Sequence, residues 1–467
     1  MCVTVVSNDS ALPFEHLLES QAISSIIPPL QLCIYSLRDR LFTPISSLSI
    51  LPAPPILSTM QPYHTLSRVL PFPDANQKAW WDKLGPLLLK GMQSQGYDTE
   101  AQYAQLGMVY KCVLPYLGEF PTVENDATRW KSFLCPYGIP IEPSLNISQG
   151  ILRYAFEPIG PDVGTEKDPQ NMNVIQDCLK GLIQHDDRID TTLHAQFSSR
   201  LLLTEEESRQ FATTGQFNFG PGQGMHGFAV DLKGSRPMFK GYFCAGIKSA
   251  VTGIPTGKLM LDAVREVDTE GRITQPLDKL EEYSANGLGN LILCFMSVDM
   301  VNPHDARIKM YGLQQEVSRE GIVDLWTLGG RINTPTNQEG LGLLLELWDL
   351  LQIPAGSRSV AIGHCSVGQP PKYMLPTLVN WTLLPGHSDP MPQVYLVPFG
   401  LPDSHISDCL TTFFERRGWT DLARVYKKNI ASYFPDIDFT QSRHVQEAIS
   451  FSFRKGKPYL SIYMSLF

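Results

Sequence analysis

With 467 residues, 43% of them hydrophobic and 18% charged, the chain has room for one large globular domain or two ordinary ones. A formal net charge of -9, from 38 basic against 47 acidic side chains, excludes a general nucleic-acid binder and requires any cationic site to be a local cluster. Nine scattered cysteines without a C-x-x-C pair argue for reduced thiols rather than a disulfide framework, and ten histidines without ligand spacing argue against a structural zinc site.

No apolar run has the length of a membrane-spanning helix, so a cytoplasmic protein with no membrane partner is expected. Residues 1–60 are rich in Ser, Pro, Leu and Ile, end near Leu51-Pro-Ala-Pro-Pro-Ile, and lack the pattern of a secretory signal. They read as a poorly ordered extension ahead of a domain spanning 61–467, with Met60 as an alternative start. Apolar residues then recur at helical spacing from Asn76 to Tyr97 and from Thr99 to Leu117. Extended, alternating stretches are predicted at Trp130–Cys135, Ile141–Asn146 and Ile151–Glu157, followed by helices at Asn173–Gln184 and Thr204–Phe211. Strands at Gly227–Leu232 and Met238–Cys244 precede a helix at Gly257–Val267 and further strands at Leu291–Asp299 and Ala306–Tyr311. Helices at Gln315–Leu328 and Asn337–Gln352 lead to strands at Thr377–Leu384 and Gln393–Pro398. Helices at Ile406–Arg417 and Asp421–Phe434 and strands at Ala448–Arg454 and Pro458–Tyr463 complete the pattern.

Strand pairs close enough for hairpins alternate with helix pairs, which favours an antiparallel sheet over a parallel one. About ten such strands close into a barrel wide enough for a ligand, with helices outside. The fold class is therefore α+β, an antiparallel barrel ringed by helices.

Within the strands, Arg307, Lys309 and Tyr311 stand at every second position, as do Lys240 and Tyr242, Gln393 and Tyr395, and Tyr459, Ser461 and Tyr463. Alternate residues of a strand share a face, so cations and phenols point one way with apolar residues behind. One such stripe is most often a solvated sheet face. Several of them suit an anion attached to an electron-poor carbon, such as an allylic diphosphate.

The segments IPIEPSLN (Ile139–Asn146), LRYAFEP (Leu152–Pro158), GTEKDP (Gly164–Pro169), KSAVTG (Lys248–Gly253), LWTLGGR (Leu325–Arg331) and TTFFERRGW (Thr411–Trp419) resemble, in order, those of the fungal dimethylallyltryptophan synthase family. The resemblance spans Tyr63 to Tyr463 and implies a ten-stranded barrel that moves a dimethylallyl group from dimethylallyl diphosphate to an indole without a metal or other cofactor. By that resemblance Arg153, Lys240, Arg307, Lys309 and Arg454 hold the diphosphate. Tyr242, Tyr311, Tyr395, Tyr459 and Tyr463 shield the allylic cation, Gln393 contacts the donor, and Glu142 accepts the indole N–H. On the acceptor side, beside Leu134, the chain has Cys294, Gly227 and Cys244 where relatives acting on free tryptophan carry arginine, lysine and tyrosine. A roomier, less polar pocket for a tryptophan-derived molecule with a masked or cyclised amino-acid part is therefore expected. Small-molecule partners and, at most, a homodimer are implied. The alternatives are a phenol, quinolinone or polyketide acceptor, and a silent barrel that only binds.

Two further strings attract no function. Asp186-Asp187-Arg188-Ile189-Asp190 spells the magnesium motif of isoprenyl diphosphate synthases but has no second acidic segment, and Gly220–Gly224 lacks the Lys-Ser/Thr of a phosphate loop. Arg416 and Arg417 read as helix-end residues.

Overall fold

The computed structural model describes residues 62–123, 130–214, 224–286, 291–359 and 364–467. The extension expected at 1–60 and all but the last residue of the glycine run 220–224 lie outside the described residues. In chain order the strands are β1 (Ile141–Asn146), β2 (Ile151–Phe156), β3 (His226–Lys233), β4 (Arg236–Phe243), β5 (Leu291–Asp299) and β6 (Ile308–Gln314), then β7 (Glu316–Val317) and β8 (Gly356–Ser357). They are followed by β9 (Thr377–Leu383), β10 (Met391–Leu396), β11 (Gln446–Arg454) and β12 (Lys457–Met464). All except β7 and β8, which form a small ribbon of their own, join in a closed antiparallel barrel. Each barrel strand pairs with its chain neighbour, β6 pairs with β9, and β1 seals the ring against β12 through Ser144 opposite Tyr463 and Asn146 opposite Ser461.

Alternation decides which side faces which solvent. The outward residues Val379, Trp381 and Leu383 of β9, Ile449 and Phe451 of β11, and Leu460, Ile462 and Met464 of β12 are completely buried. Each contributes roughly 1.5–3 kcal/mol of hydrophobic stabilisation. Their cover is a shell of helices: α1 (Pro62–Val69), α2 (Ala75–Ser94), α3 (Thr99–Cys112), α4 (Asn173–His185), α5 (Thr192–Leu201), α6 (Glu205–Thr214) and α7 (Gly246–Thr252). The shell continues with α8 (Thr256–Val267), α9 (Thr274–Asn286), α10 (Arg319–Thr327), α11 (Pro335–Leu351), α12 (Asp403–Arg416) and α13 (Thr420–Tyr433). None of the described helices is long and apolar enough to cross a membrane.

Local chemistry sets the ends of these elements. Ser318 caps α10 by accepting from the Gly321 amide at 3.0 Å, and Leu328, Gly329 and Gly330 stop it with positive φ of 54°, 64° and 83°. The LWTLGGR segment is thus a helix terminator. The helix predicted from Gln315 starts only at Arg319 because Glu316 and Val317 pair with Ser357 and Gly356 instead. The helix predicted to Leu117 ends at Cys112, ahead of a short 3-10 turn over Leu114–Tyr116 that contains Pro115. The strand predicted at Trp130–Cys135 is not formed. That segment is irregular because Trp130 and Ser132 direct their side chains onto Glu157 rather than offering backbone to a ladder.

Helix α11 approaches β11 closely at Gly340, where an added Cβ would stand 2.5 Å from Phe453 Cβ and 2.7 Å from Trp326 Cζ2. Gly340→Ala is therefore expected to lower stability by roughly 1–3 kcal/mol despite alanine's better helix propensity. Chemical denaturation of the variant checks this, and a stabilised variant would show that the contact has slack.

Candidate active site

The register sorts the inward positions into tiers along the barrel axis, successive tiers about 7 Å apart because side chains on one face recur every second residue. Arg153 stands opposite Asp231, Lys240 opposite Asp299, and Lys309 opposite Thr382, which makes a charged tier. One step along their strands from Lys240, Lys309 and Thr382 lie Tyr242, Tyr311 and Asn380, with Tyr395 close by, while Ser144 stands opposite both Arg153 and Tyr463 and joins the two sets. Phe295 stands opposite Tyr311 and Leu378 opposite Tyr395, and Glu142 and Ala155 face each other one step on from Ser144 and Arg153. A cavity of about 260 Å³ runs through the tiers, lined by Glu142, Arg153, Asp231, Lys240, Lys309, Gln393 and the four phenols among others.

Two carboxylates organise the charged tier. Asp231 lies 2.5 Å from Lys240 Nζ and 3.1 Å from Arg153 Nε, and Asp299 holds Arg307 through two contacts of 2.5 and 3.2 Å. Burial alone would raise the Asp231 pKa, but Lys240 and Arg153 outweigh it and hold the group far below the usual carboxylate range. Arg454 donates to Gln393 Oε1 at 3.1 Å, and its guanidinium lies 3.9 Å from the centre of the Tyr459 ring. Tyr459 in turn accepts a hydrogen bond from Arg153. Lys309 stands apart. Burial first, then the neighbouring Arg454, Arg307 and Lys240, push its pKa well below the ordinary lysine value. The empty tier therefore contains more positive charge than its two carboxylates balance, as an anion site should.

The phenolic tier is continuous. Tyr242 and Tyr311 hydroxyls are 3.4 Å apart, and ring centres follow at 6.0 Å from Tyr242 to Tyr311, 6.4 Å to Tyr395 and 5.4 Å to Tyr463. Phe295 stacks on Tyr311 at 4.3 Å. Asn380 donates to the Tyr395 hydroxyl at 3.0 Å, and Gln393 donates to Ser450 at 2.8 Å, so the polar atoms are held in fixed directions. Burial raises the pKa of all four phenols, which keeps them neutral and electron-rich without a fixed anion.

At the far end Glu142 faces the cavity, and desolvation pushes its pKa up to about 8. Phe133 and Leu134 reach the same cavity from the irregular segment before β1. That segment is latched by Glu157, which accepts from Trp130 Nε1 at 2.8 Å, Ser132 Oγ at 2.6 Å and the Phe133 amide at 3.3 Å. Gly227, Cys244 and Cys294 are not among the residues that line the cavity. Phe133 closes over Gly227, where an added Cβ would lie 3.3 Å from its ring. Cys294 is the bulged residue of β5 and donates to the Tyr311 carbonyl at 3.5 Å. Arg454 and Tyr459 touch the lining residues Gln393 and Arg153 without lining the cavity themselves, and Arg307 pairs with Asp299, which stands opposite the lining residue Lys240. Sequence reasoning missed Asp231, Asp299, Phe133, Phe295 and Glu157. Asp231 had a signal, since it continues the inward parity of Gly227 and Ala229. Asp299 and Glu157 likewise continue the parity of Ser297 and of Arg153 and Ala155, whereas Phe295 follows a bulge and Phe133 lies in an irregular loop.

The acidic string after α4 is spent locally: Asp186 pairs with Arg188 and Asp190 accepts from the Thr192 amide at 2.8 Å. Arg416 and Arg417 bind Glu346 at the end of α12.

The family model described as tryptophan dimethylallyltransferase matches residues 76–429. The chain belongs to the dimethylallyltryptophan synthase family. It is 96% identical over 408 residues to echinulin prenyltransferase 2 of Aspergillus ruber, covering 87% of this chain and 100% of that protein. It is 85% identical over 408 residues to prenyltransferase criF of Aspergillus cristatus, with the same coverage. The crystal structure of NotF in complex with brevianamide F and DMSPP superposes with a TM-score of 0.75 at 29% identity, over 87% of this chain and 98% of that one. The barrel is thus that of an aromatic prenyltransferase, an enzyme that moves a dimethylallyl group from its diphosphate to an indole in alkaloid biosynthesis.

In this prenyltransferase Asp231 holds two buried cations, so Asp231→Ala leaves both uncompensated and is expected to cost about 3–5 kcal/mol of stability. Inorganic diphosphate should raise the melting temperature of the variant by more than that of the wild type, because the ligand restores the missing negative charge. An equal shift in both would separate Asp231 from the anion site.

Proposed function

We propose that residues 61–467 form a catalytic barrel in which Arg153, Lys240, Arg307, Lys309 and Arg454 receive the diphosphate of dimethylallyl diphosphate. The single observation that carries this reading is the crowding of these cations in one tier directly beneath a ring of neutral phenols. As the C–O bond breaks, negative charge grows on the leaving group where fixed donors already point, and the anion offsets the neighbouring cations that lower the Lys309 pKa. Tyr242, Tyr311, Tyr395 and Tyr463 present π faces to the allylic cation and exclude water. Tyr459 orients Arg153 and Arg454, and Gln393 orients Arg454. Glu142 takes the indole N–H, which raises the ring's nucleophilicity as it attacks the cation. Side-chain cations provide the neutralisation that a metal ion would otherwise supply.

The acceptor is an indole whose amino-acid part is cyclised or masked. Two acids, Glu142 and Glu447, line that end of the cavity with Phe133, Leu134 and Val397, which disfavours a free carboxylate. Leu378 lines the cavity opposite Tyr395, where its bulk leaves less room for an allylic chain longer than five carbons. The free cysteines of the described residues suit a cytoplasmic setting, and the closed barrel works as a single subunit or within a homodimer.

Incubation with dimethylallyl diphosphate and a panel of aromatics in EDTA tests the proposal. Ring-alkylated indole with released diphosphate is expected, and turnover abolished by EDTA would contradict metal independence. Glu142→Gln is expected to keep donor binding while indole alkylation falls roughly 100-fold or more. The carboxylate is the accepting form, so kcat/KM for the indole should rise with pH through about 8, and the variant should lose that rise. A wild-type profile flat between pH 6 and 9, a range of about three units around that value, would remove Glu142 from proton acceptance.

A further inference from the structure

Glu447 lines the acceptor end of the cavity, but no contact with the acceptor has been assigned to its carboxyl. In a regular strand it would share the outward parity of Ile449 and Phe451, but the register of β11 against β12 slips between Gln446 and Ala448 and leaves Glu447 as the extra residue. Such a bulge re-aims a side chain. Here it brings Glu447 to the cavity lining together with Ala448, at the end occupied by Glu142. The residue is only 5% exposed, and its Oε2 atom makes no hydrogen bond. A buried polar atom without a partner costs free energy unless a ligand supplies one.

We propose that Glu447 is a second acceptor-binding residue, whose protonated carboxyl donates to a carbonyl oxygen of a cyclised indole dipeptide while Glu142 receives the indole N–H. Two carboxyls in one apolar pocket do not ionise together. Burial raises Glu447 well above the ordinary carboxyl value, and the charge of Glu142 raises it further, so Glu142 ionises first and Glu447 keeps its proton. The pocket then offers one acceptor and one donor without a cation. That set matches a molecule with an N–H and an amide C=O and rejects one with a free carboxylate. The inference rests on the reading of a cyclised acceptor.

The test compares two acceptors on the same variants: a tryptophan-containing diketopiperazine and skatole, an indole without a carbonyl. Glu447→Ala should cut kcat/KM for the diketopiperazine about tenfold or more, mostly through KM, and leave skatole within about threefold. Glu447→Gln, which keeps an N–H donor, should recover most of the loss. Unchanged melting temperature and binding of a thiolodiphosphate donor analogue identify a folded variant. Equal losses on both acceptors, no loss on either, or no recovery in Glu447→Gln would overturn the role of Glu447 alone. Absence of wild-type turnover of the diketopiperazine, with skatole or tryptophan accepted, would overturn the cyclised-acceptor reading as well.

Discussion

The constraint on which this structure depends is electrostatic: several cations must sit close together inside a barrel, shielded from water, before any ligand arrives. Two unit charges 4 Å apart repel by about 4 kcal/mol at an effective dielectric near 20. Asp231 and Asp299 relieve part of that repulsion by tying down Lys240, Arg153 and Arg307. Lys309 registers the rest as a pKa that burial and neighbouring cations push well below the ordinary lysine value. Under the proposed function the remaining imbalance is met by a diphosphate, and the interaction grows more favourable as the leaving group gains charge.

Antiparallel closure makes this arrangement possible. A closed ring has no unpaired edge, so the interior can be polar while every backbone group remains bonded. The apolar core is displaced outward, between strands and helices, where Trp381, Phe451 and Ile462 are fully buried. The interior is then free for chemistry, and its tiers of charge, phenol and acid follow from the strand register alone.

Much of this was legible in the sequence because a strand's period of two is unforgiving. Arg307, Lys309 and Tyr311 had to share a face, and so did Lys240 and Tyr242, whatever the rest of the chain did. Parity fails where the backbone leaves the ladder. Glu447 reads as an outward residue until the slip at Gln446 is known, and Trp130–Cys135 reads as a strand although Glu157 binds it as a loop. Cys294 sits on another bulge, and Gly227 is covered by Phe133 from an irregular loop, so strand parity alone does not place either of them. The cations and phenols lie on or beside regular strands, whereas Phe133, Leu134 and Glu447 reach the cavity from irregular backbone, so parity speaks for the first set and not for the second.

The most direct measurement is a crystal structure with dimethylallyl thiolodiphosphate bound. The account predicts diphosphate oxygens within hydrogen-bond distance of Lys240, Arg307 and Lys309, with the allylic carbon between the rings of Tyr242, Tyr311 and Tyr395 and Glu142 on the far side. A diphosphate seated elsewhere, or an allyl group pointing away from the phenols, would contradict it.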